Sequence, residues 1–129
     1  MSTYPLEFKY TKDHAWMDCA GDYVRIGITQ YAQRRLGDVV YVAYPRVGET
    51  FERGQLIGTI ESTDAILELY SPVSGEVVRV NALLRRNPQV VNSDPHETWI
   101  IVLKLKEPSE SNVLLDADQY AQFVGTLTA

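Results

Sequence analysis

Gln55-Leu56-Ile57-Gly58-Thr59-Ile60-Glu61 is a strand written in period two. Leu56, Gly58 and Ile60 fall on one side and Gln55, Ile57, Thr59 and Glu61 on the other, so one of these two faces is expected to be core. Outward from this stretch the same kind of segment recurs as Val39 to Ala43, Leu67 to Ser71 and Glu76 to Val80. All are rich in apolar or β-branched residues, and Pro45, Gly48, Gly54, Pro72 and Gly75 mark the corners between them. The centre of the chain therefore reads as all β.

Towards the start, Leu6 to Tyr10 reads as a strand, and Ala15 to Asp18 and Tyr23 to Ile28 read as a hairpin turning at Gly21. Thr29 has the hydroxyl to cap a helix from Gln30 to Leu36, with Gly37 suited to a left-handed residue at its end. Towards the end, Asn81 to Asn92 reads as a loop or short helical turn, and Trp99 to Leu105 as a strand. Asp116 and Gln119 have capping-box spacing; Ala117, Tyr120, Ala121 and Val124 then form one helix face, with Gly125 just past its end. Few helices are long enough to serve as crossovers, which favours a β-sandwich or barrel with small helices over a parallel sheet.

At 129 residues the chain suits a single domain, residues 1–129. Its 45% hydrophobic and 22% charged content argues against disorder, and no stretch approaches a membrane span. The N-terminus lacks a basic-then-apolar layout, so a soluble, cytoplasmic protein is expected. A net charge of −5 works against nucleic acid. The one cysteine, Cys19, permits no internal disulfide and reads as an incidental residue of the turn around Gly21.

Blocks along nearly the whole chain resemble glycine cleavage system H proteins. They are Tyr10-Thr11-Lys12-Asp13-His14-Ala15-Trp16, Ile26 to Gln33, Leu36-Gly37-Asp38-Val39-Val40-Tyr41-Val42, Glu61-Ser62, Tyr70 to Glu76, Val91-Asn92-Ser93-Asp94-Pro95, Trp99-Ile100 and Leu114 to Ala117. The resemblance implies a flattened barrel-sandwich hybrid of the lipoyl/biotinyl type with small peripheral helices. It also implies a hairpin between Glu61 and Tyr70 that projects one side chain. In the family that side chain is a lysine bearing a lipoyl arm, which carries an aminomethyl group between a decarboxylase, a folate-dependent transferase and a flavin dehydrogenase.

Aligned without a gap, this chain places Asp64 at the lysine position, within Glu61-Ser62-Thr63-Asp64-Ala65-Ile66-Leu67-Glu68. A carboxylate is a poor nucleophile and forms no stable amide with an activated lipoyl group. The only lysines are Lys9, Lys12, Lys104 and Lys106, all in segments assigned elsewhere. Thr63, Ile66 and Leu67 also depart from the usual family residues, as does a one-residue shortening at His96-Glu97-Thr98, which reads as divergence rather than one substitution. The resulting expectation is an H-protein-like domain that has lost lipoylation and carries no cofactor. It would be a non-catalytic protein-binding or regulatory module using residues 61–68 as an interaction tip. Its partners would be glycine cleavage enzymes or lipoyl-attachment enzymes. The alternative is a lipoyl carrier working in glycine decarboxylation, given lysine at position 64 in the natural gene.

Other constellations point to less. Glu61, Asp64 and Glu68 could offer oxygens to a hard cation, but strand alternation need not converge them, and an acidic solvated surface is the expectation. His14, His96 and Cys19 form no local catalytic motif, so no catalytic residue and no metal ligand is assigned. His14 reads as a strand-start residue with a hydrogen-bonded imidazole, and Trp16 and Trp99 as core or groove aromatics.

Overall fold

The computed structural model describes residues 4–128 and is built mainly of β-strands in two antiparallel sheets. The strands, in chain order, are β1 (Lys9–Tyr10), β2 (Ala15–Ala20), β3 (Tyr23–Ile28), β4 (Val39–Ala43), β5 (Thr50–Phe51), β6 (Leu56–Ser62), β7 (Ile66–Tyr70), β8 (Gly75–Val80) and β9 (Ile101–Leu105). Six form one sheet in the order β1-β2-β3-β9-β8-β5, and three form the other in the order β4-β6-β7. The two layers share one apolar interior. Met17, Val24, Ile26, Val77, Ile101 and Leu103 of the larger sheet pack with Val39, Val42, Ile57, Ile60 and Leu69 of the smaller. Among the described residues three α-helices lie outside the sheets, α1 (Gln30–Arg34), α2 (Val90–Ser93) and α3 (Ala117–Thr128), with 3-10 turns at Ala82–Arg85 and Pro108–Val113.

Local chemistry explains most of these elements. Ala20 pairs with Tyr23 across Gly21-Asp22, and Gly21 takes φ 63°, the left-handed value such a tight hairpin asks of a residue without a Cβ. Cys19 thereby lies in β2, not in the turn, because Asp18, Cys19 and Ala20 keep pairing as far as the two turn residues; it is exposed. Thr29 caps α1, its hydroxyl accepting from the Ala32 N–H at 3.3 Å. At α3 the capping box closes in both directions: Gln119 N–H donates to Asp116 Oδ1 at 2.8 Å, and Asp116 N–H to Gln119 Oε1 at 2.9 Å.

Four further expectations need correction. The strand expected from Leu6 begins only at Lys9, since the Phe8 N–H turns back to the Pro5 carbonyl at 3.4 Å. The period-two reading of β6 slips phase. Ile57 and Ile60 are both buried while Leu56 is 47% exposed, because a bulge between Leu56 and Gly58 opposes an extra residue to β7. Gly37 does not end α1 in a left-handed conformation; the helix stops at Arg34 with Arg35 in the right-handed region. Gly125 lies inside α3 rather than beyond it, as the helix runs on to Thr128.

The C-terminal helix docks on a second, smaller cluster. Ala117 and Tyr120 are buried against Phe8, Tyr10 and Trp16, with Trp99 and Leu115 at the margin. Tyr10 and Tyr120 stack with centroids 4.9 Å apart, and Phe8 and Trp16 with centroids 4.5 Å apart. This aromatic packing ties the chain's end to its beginning, so α3 stiffens the first hairpin on which His14 sits.

Candidate functional site

Position 64 is at the tip of the β6–β7 hairpin. Glu61 pairs with Ile66, and Thr63, Asp64 and Ala65 form the exposed turn beyond Ser62. The turn is closed by Ser62 N–H donating to the Ala65 carbonyl at 2.9 Å. Ser62 Oγ then gathers the turn's own amides, accepting from Asp64 N–H at 3.2 Å and Ala65 N–H at 3.0 Å. This is a serine doing what serines do in turns, offering the backbone a local acceptor in place of a sheet partner.

The tip is also tied to one distant segment, the loop at Gly37-Asp38. Gly37 N–H donates to the same Ser62 Oγ at 3.2 Å, and Thr63 N–H donates to the Asp38 carbonyl at 3.0 Å. Behind this loop, Asn92 of α2 accepts from Val39 N–H at 2.7 Å through Oδ1 and donates to the Gly37 carbonyl at 3.1 Å through Nδ2. Gly37, Asp38 and Asn92 were not singled out as site residues from the sequence. The signal was present as blocks of the family resemblance, but not the fact that the blocks meet.

The eight residues of the tip divide by face. Glu61 stands between Tyr41 on β4 and Ile66 on β7, so Tyr41, Glu61 and Ile66 form a row on the outer face of the smaller sheet. Tyr41 and Ile66 are 57% and 63% exposed. Leu67 points the other way and packs half-buried against the core with its neighbours Val42 and Ile60. Glu68 is exposed and accepts a hydrogen bond from the Tyr70 hydroxyl at 3.1 Å, which together with its charge raises the Tyr70 pKa. β4, β6 and β7 contain no lysine or arginine and contribute Glu61 and Glu68, while Arg35 lies beside Ile66 and Arg85 beside Tyr41 at the margins of this sheet.

Beside the tip lies a cleft of about 260 Å³, with His14, Ala32, Arg35 and Leu36 on one wall and Ala65, Ile66 and Leu67 on the other. His14 is held at φ 70°, and its Nδ1 is 2.7 Å from the Tyr120 hydroxyl, which is also 2.7 Å from Thr29 Oγ1. Burial lowers the His14 pKa, favouring the neutral ring. His96 Nε2 accepts the Gln30 N–H at 3.0 Å, so the shortened loop before Trp99 is pinned to the start of α1. Trp16 is buried with its indole N–H on the Pro95 carbonyl at 3.0 Å, while Trp99 is half-buried with Arg79 stacked 5.0 Å from its ring centre.

A sequence profile described as "Glycine cleavage H-protein" matches residues 8–126. The chain belongs to the glycine cleavage H-protein family. The glycine cleavage system H protein of Koribacter versatilis (strain Ellin345) is 47% identical over 120 residues, covering 93% of each chain. That of Halalkalibacterium halodurans is 45% identical over 125 residues, covering 96% of this chain and 98% of the relative. Among solved structures, a glycine cleavage system H protein from Mycobacterium marinum superposes with a TM-score of 0.85 at 36% identity, over 95% of this chain and 99% of that one.

Membership in the H-protein family corrects two expectations. The reading as a regulatory or binding module that has lost lipoylation is overturned by near-full-length similarity at 43–47% identity to glycine cleavage system H proteins, which backs the carrier alternative. The expectation that the protein takes no cofactor falls with it, because lipoyl is the group this family resemblance implies. As a carrier-type protein it is not an enzyme, and its partners are proteins. Among the described residues no helix is long and apolar enough to cross a membrane. The hairpin backbone fits the presentation of a lipoyl group, but the residue at its tip does not: the Asp64 carboxylate supplies no amine for an amide.

Proposed function

We propose that this chain has the scaffold of the H-protein carrier of glycine decarboxylation, which acts as a lipoyl carrier given lysine at position 64 in the natural gene. Position 64 is the point of presentation, and Glu61, Ser62, Thr63, Asp64, Ala65, Ile66, Leu67 and Glu68 are the surface that the glycine cleavage and lipoyl-attachment enzymes read. The observation that carries this reading is the exposed hairpin tip fixed by hydrogen bonds to the Gly37-Asp38 loop, which Asn92 of α2 holds in turn. A carrier has to hold its cargo away from its own core and in one attitude, since catalysis by the partner depends on orientation. Exposed Tyr41 and Ile66 supply apolar area for docking on either side of Glu61.

The chemistry of an amide-linked arm needs an amine at position 64, so the test uses Asp64→Lys with the unsubstituted chain beside it. Each is incubated with lipoate, ATP and a lipoate–protein ligase, weighed intact, and then supplied to glycine decarboxylase, the folate-dependent transferase and the flavin dehydrogenase. Asp64→Lys is expected to gain one lipoyl group at residue 64 and to sustain carbon dioxide release from glycine. An adduct on the unsubstituted chain would move the attachment to one of its four lysines, Lys9, Lys12, Lys104 or Lys106. Failure of the modified Asp64→Lys protein to support decarboxylation would overturn the carrier reading.

A further inference from the structure

We infer that Ser62 is a positioning residue for the side chain at 64, acting within a polar clamp that runs from Asn92 through Gly37 to the hairpin tip; the inference rests on the carrier reading above. Thr63, Asp64 and Ala65 are all exposed, so burial of apolar area does little to fix their attitude. What fixes it is polar. The Ser62 hydroxyl accepts the N–H groups of Gly37, Asp64 and Ala65 at 3.0 to 3.2 Å and donates to the Ala65 carbonyl at 3.1 Å.

Gly37, in turn, is held from its other side. Its carbonyl receives the Asn92 amide, whose oxygen takes the Val39 N–H, so the α1–β4 loop cannot swing without breaking bonds to α2. Gly37 also has no side chain where one would intrude: a Cβ there would overlap Thr63 Oγ1 and come within 2.5 Å of Asp64 Oδ2. Three segments separated in sequence thus set the direction of one side chain. A reacting group misplaced by about 1 Å can lose about 100-fold in rate, which is why orientation at a carrier tip is worth this much hydrogen bonding.

The Asp64 and Ala65 amides lie at the surface, where water can replace the hydroxyl, while the Gly37 amide is part-buried. Ser62→Ala is therefore expected to fold with nearly unchanged stability while the tip loosens. Hydrogen exchange at the Gly37, Asp64 and Ala65 amides should rise about 10-fold or more. Carried into Asp64→Lys, Ser62→Ala should lower kcat for lipoylation by about 10- to 100-fold with little change in KM, because the docking face of the smaller sheet is untouched. Ser62→Thr, which keeps the hydroxyl, should restore both readouts. If Ser62→Ala does not fold, Asn92→Asp keeps the acceptor for the Val39 N–H but sets a carboxylate oxygen against the Gly37 carbonyl, and should give the same pattern. Unchanged exchange and kcat in a folded variant, or an equal loss in Ser62→Thr, overturns the inference. Should Asp64→Lys itself resist lipoylation, the carrier reading fails, and the exchange measurement still decides whether the clamp exists.

Discussion

The α-carbon of Gly37 lies directly beneath the Asp64 carboxylate, so close that a Cβ at residue 37 would stand 2.5 Å from Asp64 Oδ2. Gly37→Ala is expected to fold, because the nearest atoms belong to side chains that can rotate away, at an overpacking cost of about 1 kcal/mol. Its consequence is local. Backbone NMR shifts should change at Thr63, Asp64 and Ala65 and leave β2, β3 and β9 undisturbed; shifts spread through the larger sheet would refute this placement of the loop.

Ile66 and Leu67 are adjacent in sequence but differ in what they touch. Ile66→Ser should change stability by no more than about 0.5 kcal/mol, since the side chain is 63% exposed. Leu67→Ser should cost about 1–3 kcal/mol, as Leu67 packs on the core beside Val42 and Ile60. Urea unfolding of the two variants reads the difference directly. Equal losses would mean that the hairpin's faces are assigned wrongly.

Tyr120 ties the last helix to the first hairpin through one hydroxyl, with His14 Nδ1 and Thr29 Oγ1 each 2.7 Å away. Tyr120→Phe keeps the ring stacking but leaves the half-buried imidazole without this partner. A loss of about 1–2 kcal/mol is expected by chemical denaturation, larger than for a surface hydrogen bond. Retained stability would show that water takes the hydroxyl's place.

Stability should fall as pH drops below about 6.5, the ordinary histidine value. His96 has its pKa lowered first by burial, partly opposed by the Asp94 charge, and its Nε2 must be unprotonated to accept the Gln30 N–H. His14 is lowered by burial as well, with Asp13 opposing. The folded state therefore binds protons later than the unfolded chain. The stability is complete above the unfolded pKa and is lost as pH falls from there towards the depressed folded values. Unfolding midpoints measured from pH 8 to 5 should show this slope, and His96→Gln should flatten part of it. A wild-type curve that is flat across this window would refute the assignment.

Much of the fold is legible in the residues because the signals are local. The turn at Gly21-Asp22, the Thr29 cap, the Asp116–Gln119 capping box and the apolar runs of β4, β6, β8 and β9 each depend on neighbours within a few positions. Position 64 at a hairpin tip is legible in the same way, through the blocks on either side of it. What the linear chain could not specify is anything set by pairing at a distance. The bulge that puts both Ile57 and Ile60 in the core depends on the register with β7, and period two alone does not contain it. Gly37 reads locally as a helix end, yet its reason is the hairpin packed above it, 25 residues from its partner Ser62. The Asp64 identity was decided by the sequence alone, whereas the direction in which that residue points was decided only by tertiary structure, because Asn92, Gly37 and Ser62 can share hydrogen bonds only once the sheet and α2 have brought them together.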